Sequence, residues 1–310
     1  SPLRWTGYTG VGFSRISVNP SLSIIYKLNY AWRFTAHASY KERYGEMTDL
    51  YDRPYQTDYR NSVWNCGILP VYRQQLYSVY GEYKNTAREF FATVNLTHNR
   101  EWYNRIYEQR IENGQVQRVS LPLSNHGSRY TVKSTLSKGF YELGLKTSFL
   151  VLLNISKAEQ ISGGQRLPYQ YRLIRLEPKV IWTPNRHWET SYQTDIRYGG
   201  NKIGERTRLA PLWNVTQQVQ LSYIFSPIEA SLSVDHYHND VNEDQSVNAV
   251  FADFSVSWKS GRWQITATAT NLFDKRTYAY TRYASLESYT SWVRIRPREF
   301  LVAILSLIHI

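Results

Sequence analysis

A chain of 310 residues with 37 Lys and Arg against 25 Asp and Glu, a formal charge of +12, has room for a large core. Yet 26 Tyr, 10 Trp and 42% hydrophobic residues beside a mean hydropathy of −0.50 are not the mix of a packed soluble domain. A membrane-spanning helix is excluded, because the most apolar run, 148–155, is far short of the ~20 residues required. The basic charge is spread along the chain, with no recognition-helix, zinc-ligand or aromatic RNA-binding signature, which argues against nucleic acid. No Ser-His-Asp constellation, His-Glu-x-x-His helix, P-loop or dinucleotide fingerprint occurs, so no enzyme activity and no cofactor are expected. The lone Cys66 has no internal disulfide partner.

Period-two alternation begins over 21–30, where Leu22, Ile24, Tyr26, Leu28 and Tyr30 share one face, and returns over 33–40 with Phe34, Ala36, Ala38 and Tyr40. Only Ala31-Trp32 separates them, which predicts a hairpin. Residues 44–72 carry Gly45, Pro54, Gly67 and Pro70 and predict a long loop. The next hairpin is expected at 73–83 and 88–97 around Lys84-Asn85-Thr86-Ala87, followed by a second excursion over about 112–128. Strands at 130–137 and 141–155 should flank Lys138-Gly139, with Tyr141, Leu143, Leu145, Phe149 and Val151 facing outward. A Gly-rich loop at 161–167 precedes strands at 169–183 and 187–198 around Pro184-Asn185, then a loop at 199–208. Strands at 213–225 and 228–237 flank Ser226-Pro227, a loop spans about 239–246, and 250–258 pairs with 263–271 around Lys259-Ser260-Gly261. In the last of these Trp263, Ile265, Ala267 and Ala269 oppose Gln264, Thr266, Thr268 and Thr270. A closing strand is expected over 294–304.

This makes about thirteen meandering strands in which short turns and long loops alternate. Outer-membrane barrels segregate their connections in that way, with short turns on the periplasmic rim and long loops outside. A closed barrel is also the one spanning solution besides a helix. Sandwiches and propellers use shorter strands and do not sort turns by length. The expected fold class is therefore all-β, an antiparallel transmembrane β-barrel.

A strand ending in Asn271-Leu272-Phe273-Asp274, a Tyr-rich loop and a closing Arg296-Pro297-Arg298-Glu299 stretch together resemble the C-terminal end of TonB-dependent outer-membrane receptors. The closest likeness is to the Bacteroidetes-type outer-membrane β-barrel family of Gram-negative bacteria. The resemblance implies a 22-stranded barrel around a plug domain, a segment that contacts TonB, and import of a scarce nutrient: glycan, siderophore, cobalamin or peptide. It makes residues 1–304 a partial outer-membrane barrel domain, with the plug, the N-terminal strands and the TonB-contacting segment missing. Ser1-Pro2, with no Met, fits that expectation. The implied partners are outer-membrane lipid and lipopolysaccharide, the chain's own missing plug and strands, TonB through the missing N-terminus, and a surface lipoprotein. Residues 305–310 look like the in-frame translation of a sequencing-library adapter, which predicts a non-native tail. Two other readings stay open: an outer-membrane barrel with a structural, assembly or passive-pore role and no TonB coupling, and a soluble β-rich binding protein whose strands are covered by a second sheet.

Three groups of residues are site candidates. Tyr51, Tyr55, Tyr59 and Trp64 lie in the first long loop, where exposed rings can stack on a ligand or simply pack the loop against itself. His236 and His238 are two apart and share a strand face, a weak metal-ligand pattern that an interfacial position explains as well. Asn271, Leu272, Phe273, Asp274, Arg296, Pro297 and Arg298 are expected to be structural. Tyr278, Tyr280, Tyr283, Tyr289 and Trp292 beside them suggest an outer aromatic girdle.

Overall fold

A strand that is apolar on one side and polar on the other needs two different surroundings, and the chain is built almost wholly of such strands. The computed structural model describes residues 3–6, 12–59, 61–112, 115–204, 207–208, 211–241, 244–283 and 288–306. A short hairpin comes first, β1 (Leu3–Thr6) with β2 (Gly12–Arg15). Next are β3 (Ser21–Lys27) and β4 (Trp32–Tyr44). A 3-10 turn at Met47–Leu50 and the short strands β5 (Tyr55–Gln56) and β6 (Asn61–Trp64) fill the first excursion. After β7 (Val71–Asn85) and β8 (Phe90–Tyr103), the second excursion is a hairpin of β9 (Ile106–Glu112) and β10 (Gln115–Leu121). Then come β11 (Asn125–Phe140), β12 (Leu145–Ser162), β13 (Gln165–Asn185) and β14 (Trp188–Ile203). The short β15 (Thr207–Arg208) leads to β16 (Leu212–Phe225), β17 (Ile228–Asp240), β18 (Ser246–Ser260) and β19 (Trp263–Thr270). A last hairpin, β20 (Thr277–Tyr283) with β21 (Ser288–Arg294), precedes β22 (Glu299–Ser306).

Thirteen strands form one antiparallel wall in the order β3, β4, β7, β8, β11, β12, β13, β14, β16, β17, β18, β19, β22. The registers show why one face is apolar. Ile24, Ala36, Val79, Leu96, Val132, Leu153 and Ile174 lie side by side across seven strands. One residue along, the row is Ile25, Thr35, Tyr80, Asn95, Lys133, Leu152 and Arg175, predominantly polar and on the opposite face. The apolar face carries no second layer: Leu96 in mid-wall is 47% exposed and Leu153 39%. That sets the wall apart from the covered strands of a sandwich. The few buried apolar residues, among them Ile106, Val119, Ile161 and Leu212, sit at the loop end, where the excursions pack on the strand tips.

Aromatic rings border the apolar face at both ends. Near the short turns Trp32 lies 4.8 Å from Tyr83, and Trp188 lies 4.6 Å from Tyr223. Near the loops Tyr198 lies 4.6 Å from Trp213, and His98 stacks on Tyr130 at 4.2 Å. Trp213 and Tyr223 are ten positions apart on β16. At ~3.4 Å per residue and a tilt of ~45°, their rows stand ~24 Å apart, the height of a barrel's lipid-facing band.

The wall curls as a barrel, but β3 and β22 are not registered with each other. Among the described residues each has a single wall neighbour, β4 and β19 respectively, and the side chains of both strands are exposed throughout. The sheet is therefore open at this seam.

Several boundaries differ from the sequence reading. Leu28 and Tyr30 belong to the first turn, whose Asn29 side chain accepts the N–H groups of Ala31 and Trp32 at 2.8 and 2.9 Å, so Trp32 opens β4. The turn expected at Lys138-Gly139 falls three residues later, because Gly144 at φ 59 adopts the left-handed conformation that ends a short 3-10 turn. Tyr141 and Leu143 are accordingly in the turn and not on the outward face. The loops expected at 161–167 and 199–208 are largely strand: β12 and β13 run to a two-residue turn of Gly163 (φ 58) and Gly164 (φ 75). Positive φ at both positions is what such a tight hairpin demands. The closing strand starts at Glu299, since Arg294 ends β21. Of the expected tail, Leu305 and Ser306 continue β22, and 307–310 lie outside the described residues.

Adjacent positions on β8 separate the two faces. Val94→Arg, on the apolar face, should destabilise the folded state by about 2–4 kcal/mol, whereas Asn95→Arg should be nearly neutral. Denaturant titration in lipid vesicles, followed by the heat-modifiable shift on gels, reads the difference.

Candidate functional site

The loop end of the wall is where the chain stops being a plain meander. The β9–β10 hairpin lies over it, β10 pairing in parallel with β6 from Val116↔Asn61 to Val119↔Trp64. Two excursions far apart in sequence are thereby locked together. Ile106 at the base of the hairpin is fully buried, which fixes its approach.

Between these excursions and the tips of β8, β11, β12 and β13 lies a cleft of about 800 Å³. Its polar and aromatic lining includes Glu101, Tyr103, Arg105, Tyr107, Arg118, Arg129 and Tyr169. By strand alternation Glu101, Tyr103, Arg129 and Tyr169 lie opposite the apolar face, so the cleft opens at the mouth of the barrel interior. Tyr107 holds two guanidinium groups, Arg118 at 3.7 Å and Arg105 at 5.0 Å from its ring centroid. A ring face attracts cations, and two cations on one ring are tolerated because Asp49 binds Arg105 at 2.8 Å. Burial pushes the Tyr107 phenol above its ordinary range, so it stays neutral.

Glu108, 6% exposed, closes the outer end. Its carboxylate accepts two N–H donors of Arg110 at 2.9 and 2.7 Å and the backbone N–H of Gly164 at 3.0 Å, tying β9 to the Gly163-Gly164 turn. The Arg110 donors hold its carboxyl below the usual range, against the opposing effect of burial, with the Gly164 N–H adding to the lowering. Within the barrel, Arg175 bonds Asp195 through two N–H groups at 2.9 Å each and meets Glu177 at 2.5 Å, while Arg197 reaches Asp195 at 2.6 Å.

The tyrosines of the first loop are only partly free. Tyr51 and Tyr55 make an edge contact at 6.1 Å, and the Trp64 indole N–H donates to the carbonyl of Asp52 at 2.8 Å. Tyr59 is 80% exposed. None of the four lines the cleft, to which this loop contributes Thr57, Asn61, Ser62 and Val63. His236 and His238 share a face, as their spacing requires, but each turns to its own neighbour. His236 Nδ1 meets Gln217 Oε1 at 3.3 Å; His238 Nδ1 meets Asn248 Oδ1 at 2.8 Å. Among the described residues no third ligand joins them.

The Asn271 to Asp274 motif is a clasp. Asn271, at φ 50 and 6% exposed, donates through Nδ2 to the carbonyls of Lys275 and Arg296 at 2.9 and 2.8 Å. Its Oδ1 accepts the Lys275 N–H at 3.0 Å, and its own N–H reaches Asp253 at 2.8 Å. Asp274 accepts the Arg298 N–H at 3.0 Å and an Arg276 donor at 2.9 Å, the two bonds that hold its carboxyl below the usual range. Arg296, Pro297 and Arg298 thus supply backbone that fixes the entry to β22. Leu272 is anchored through its N–H to the Ala252 carbonyl at 2.8 Å, and Phe273 is 56% exposed. The girdle expectation for the next segment needs correcting at Tyr278, which packs against Tyr237 at 5.1 Å, on the inner face. Trp292 is 68% exposed, and the side chains of Tyr283 and Tyr289 lie outside the described residues.

The sequence reading missed Arg105, Tyr107, Glu108 and Arg118. It began the second excursion at 112, and no period-two pattern marks 106–109, where Ile106 shares a face with Glu108 and Tyr107 with Gln109.

No family model matches the chain, and no curated protein matches it. Similar solved structures are barrels. Pseudomonas aeruginosa FpvA bound to pyoverdines is 11% identical with a TM-score of 0.46, over 92% of this chain and 44% of that one. The ferric yersiniabactin uptake receptor FyuA of Yersinia pestis is 8% identical at 0.47, over 92% and 48%. The Pseudomonas putida toluene transporter TodX is 10% identical at 0.28, over 99% and 87%. The chain thus spans less than half the length of the first two. These neighbours are receptors and transporters rather than enzymes. At such identities and TM-scores, no ligand or residue role passes from them to this chain.

Two outcomes follow from the clasps. Asn271→Ala removes three side-chain hydrogen bonds and should cost about 3 kcal/mol in denaturant unfolding, with Asn271→Gly, which tolerates the positive φ, costing somewhat less. The depressed Glu108 carboxyl gives stability that is complete above the unfolded carboxylate range near ~4.3 and is lost as pH falls through its lower folded value. The protection factor of the Gly164 amide, its exchange measured against the intrinsic rate at the same pH, should therefore fall on acidification below that range, and Glu108→Gln should remove that pH-dependent loss of protection.

Proposed function

We propose that this chain is the C-terminal part of the barrel of a TonB-dependent outer-membrane receptor that imports a scarce nutrient. The observation that carries the reading is the two-faced wall: thirteen antiparallel strands, apolar on one side and polar on the other, with short turns at one end and structured excursions at the other. Only a lipid bilayer outside and water inside suit both faces at once. The Asn271-Leu272-Phe273-Asp274 and Arg296-Pro297-Arg298 stretches add the family likeness, Bacteroidetes type included. In this reading lipid and lipopolysaccharide surround the wall, and the missing plug and N-terminal strands complete it. Coupling to TonB runs through the missing N-terminus, and a surface lipoprotein can cap the loops. The cleft at the barrel mouth receives the solute, with Tyr51, Tyr55, Tyr59 and Trp64 on the loop above it.

The reading is tested in cells that express the full-length protein. It predicts recovery with outer membranes and solute accumulation that stops when tonB is deleted. Accumulation unchanged without TonB would instead mark a passive pore, and recovery in the soluble fraction would defeat both.

A further inference from the structure

We infer that the cleft at the barrel mouth binds a hydroxylated polycarboxylate, specifically an acidic oligosaccharide built of uronic-acid-type sugars. This deepens the proposed function and rests on it. Its basis is which charges of the lining are already satisfied. Of the acidic residues, Glu108 is neutralised by Arg110 and Glu159 by Arg166 at 3.0 Å, both partners standing outside the lining. Glu101 takes donors from Asn99 and from the Tyr103 hydroxyl, the latter at 2.9 Å. Arg105 is committed to Asp49. Two lining cations that face the cleft remain, Arg118 and Arg129, and neither has a carboxylate within ion-pair distance among the described residues; Lys157 shares the outer face with Leu153 and Ile155. Strand alternation and the register of β11 with β8 keep Arg129 on the inner face, away from lipopolysaccharide phosphates.

The geometry of Arg118 narrows the ligand further. Its guanidinium carbon lies 3.7 Å from the Tyr107 ring centroid, too close for an edge-on approach, in which an amino group would collide with the ring. A guanidinium donates hydrogen bonds along its edge, so stacking orients the group while leaving that edge for a two-pronged bond to a carboxylate. Arg129 uses Nε on Ser156 at 3.2 Å and keeps both terminal amino groups. The two arginines stand on different walls, Arg118 on β10 and Arg129 on β11, which suits more than one anionic group on the same molecule. Between them the lining is hydroxyl, amide and phenol: Asn61, Ser62, Gln160 and Tyr169. Those groups match sugar hydroxyls. A volume of about 800 Å³ is in the range that encloses an oligomeric ligand and would leave a small hydroxy acid such as citrate loosely held.

The test is calorimetric titration of the full-length protein, purified from outer membranes, with tetragalacturonate, its fully methyl-esterified form and citrate. Tetragalacturonate should bind at least tenfold more tightly than either of the others, and less tightly as salt rises. Arg118→Gln and Arg129→Gln should each weaken it tenfold or more, leaving the weak binding of the ester unchanged. Heat-modifiable migration on gels confirms that each variant is folded. Equal affinity for acid and ester, citrate binding as tightly as tetragalacturonate, or variants that bind like the parent would overturn the inference. Those results would leave the receptor reading standing, since membrane recovery and TonB dependence are measured separately.

Discussion

Everything in this protein follows from one constraint: each wall strand must find both hydrogen-bonding partners in its neighbours, because neither lipid nor a second sheet layer supplies any. A sheet is the only extended solution, and in a bilayer it has to close. Thirteen strands alternate in direction, so β3 and β22 both run from the loop end to the turn end. Sealing one to the other would set two parallel strands side by side in an otherwise antiparallel wall. An odd number of intervening strands restores the alternation. The exposed side chains of β3 and β22 mark this seam.

The same constraint decides where specificity can reside. A wall that is apolar outside and wet inside has little freedom in its middle, since changes on the outer face cost several kcal/mol. The loop end is freer. There the chain invests its few buried side chains, the Glu108 clasp and the Asn271 clasp, and there the guanidinium groups gather around Tyr107. Rigid strands below hold a chemically varied surface above, the usual division between scaffold and site.

The wall was legible from residue order because alternation is local: Ala36 beside Phe34 and Ala38, or Val219 beside Leu221, announces a face without knowledge of any neighbour. The errors also have local causes. Tyr141 and Leu143 keep the alternation going through a turn that only the positive φ of Gly144 reveals, and the extension of β12 and β13 to Gly163-Gly164 continues past the apolar positions that mark the membrane. The cleft was not legible, because it is made by long-range pairing. Nothing near Arg118 in sequence states that β10 will pair in parallel with β6, or that Arg105 will share a ring with it. The Asn271 motif stands between these cases: its sequence identified it, and only the bonds to Lys275 and Arg296 explain why it is Asn.

The central claim, a wall with lipid on one face and water on the other, is tested most directly by nitroxide scanning of β8 in reconstituted vesicles, with Cys66 replaced by Ser. Single labels at Thr93, Val94, Asn95, Leu96 and Thr97 would be probed with molecular oxygen and with a water-soluble nickel chelate. The account predicts strict alternation, with oxygen reaching 94 and 96 and the chelate reaching 93, 95 and 97. Chelate access to both faces, or oxygen protection of both, would contradict it.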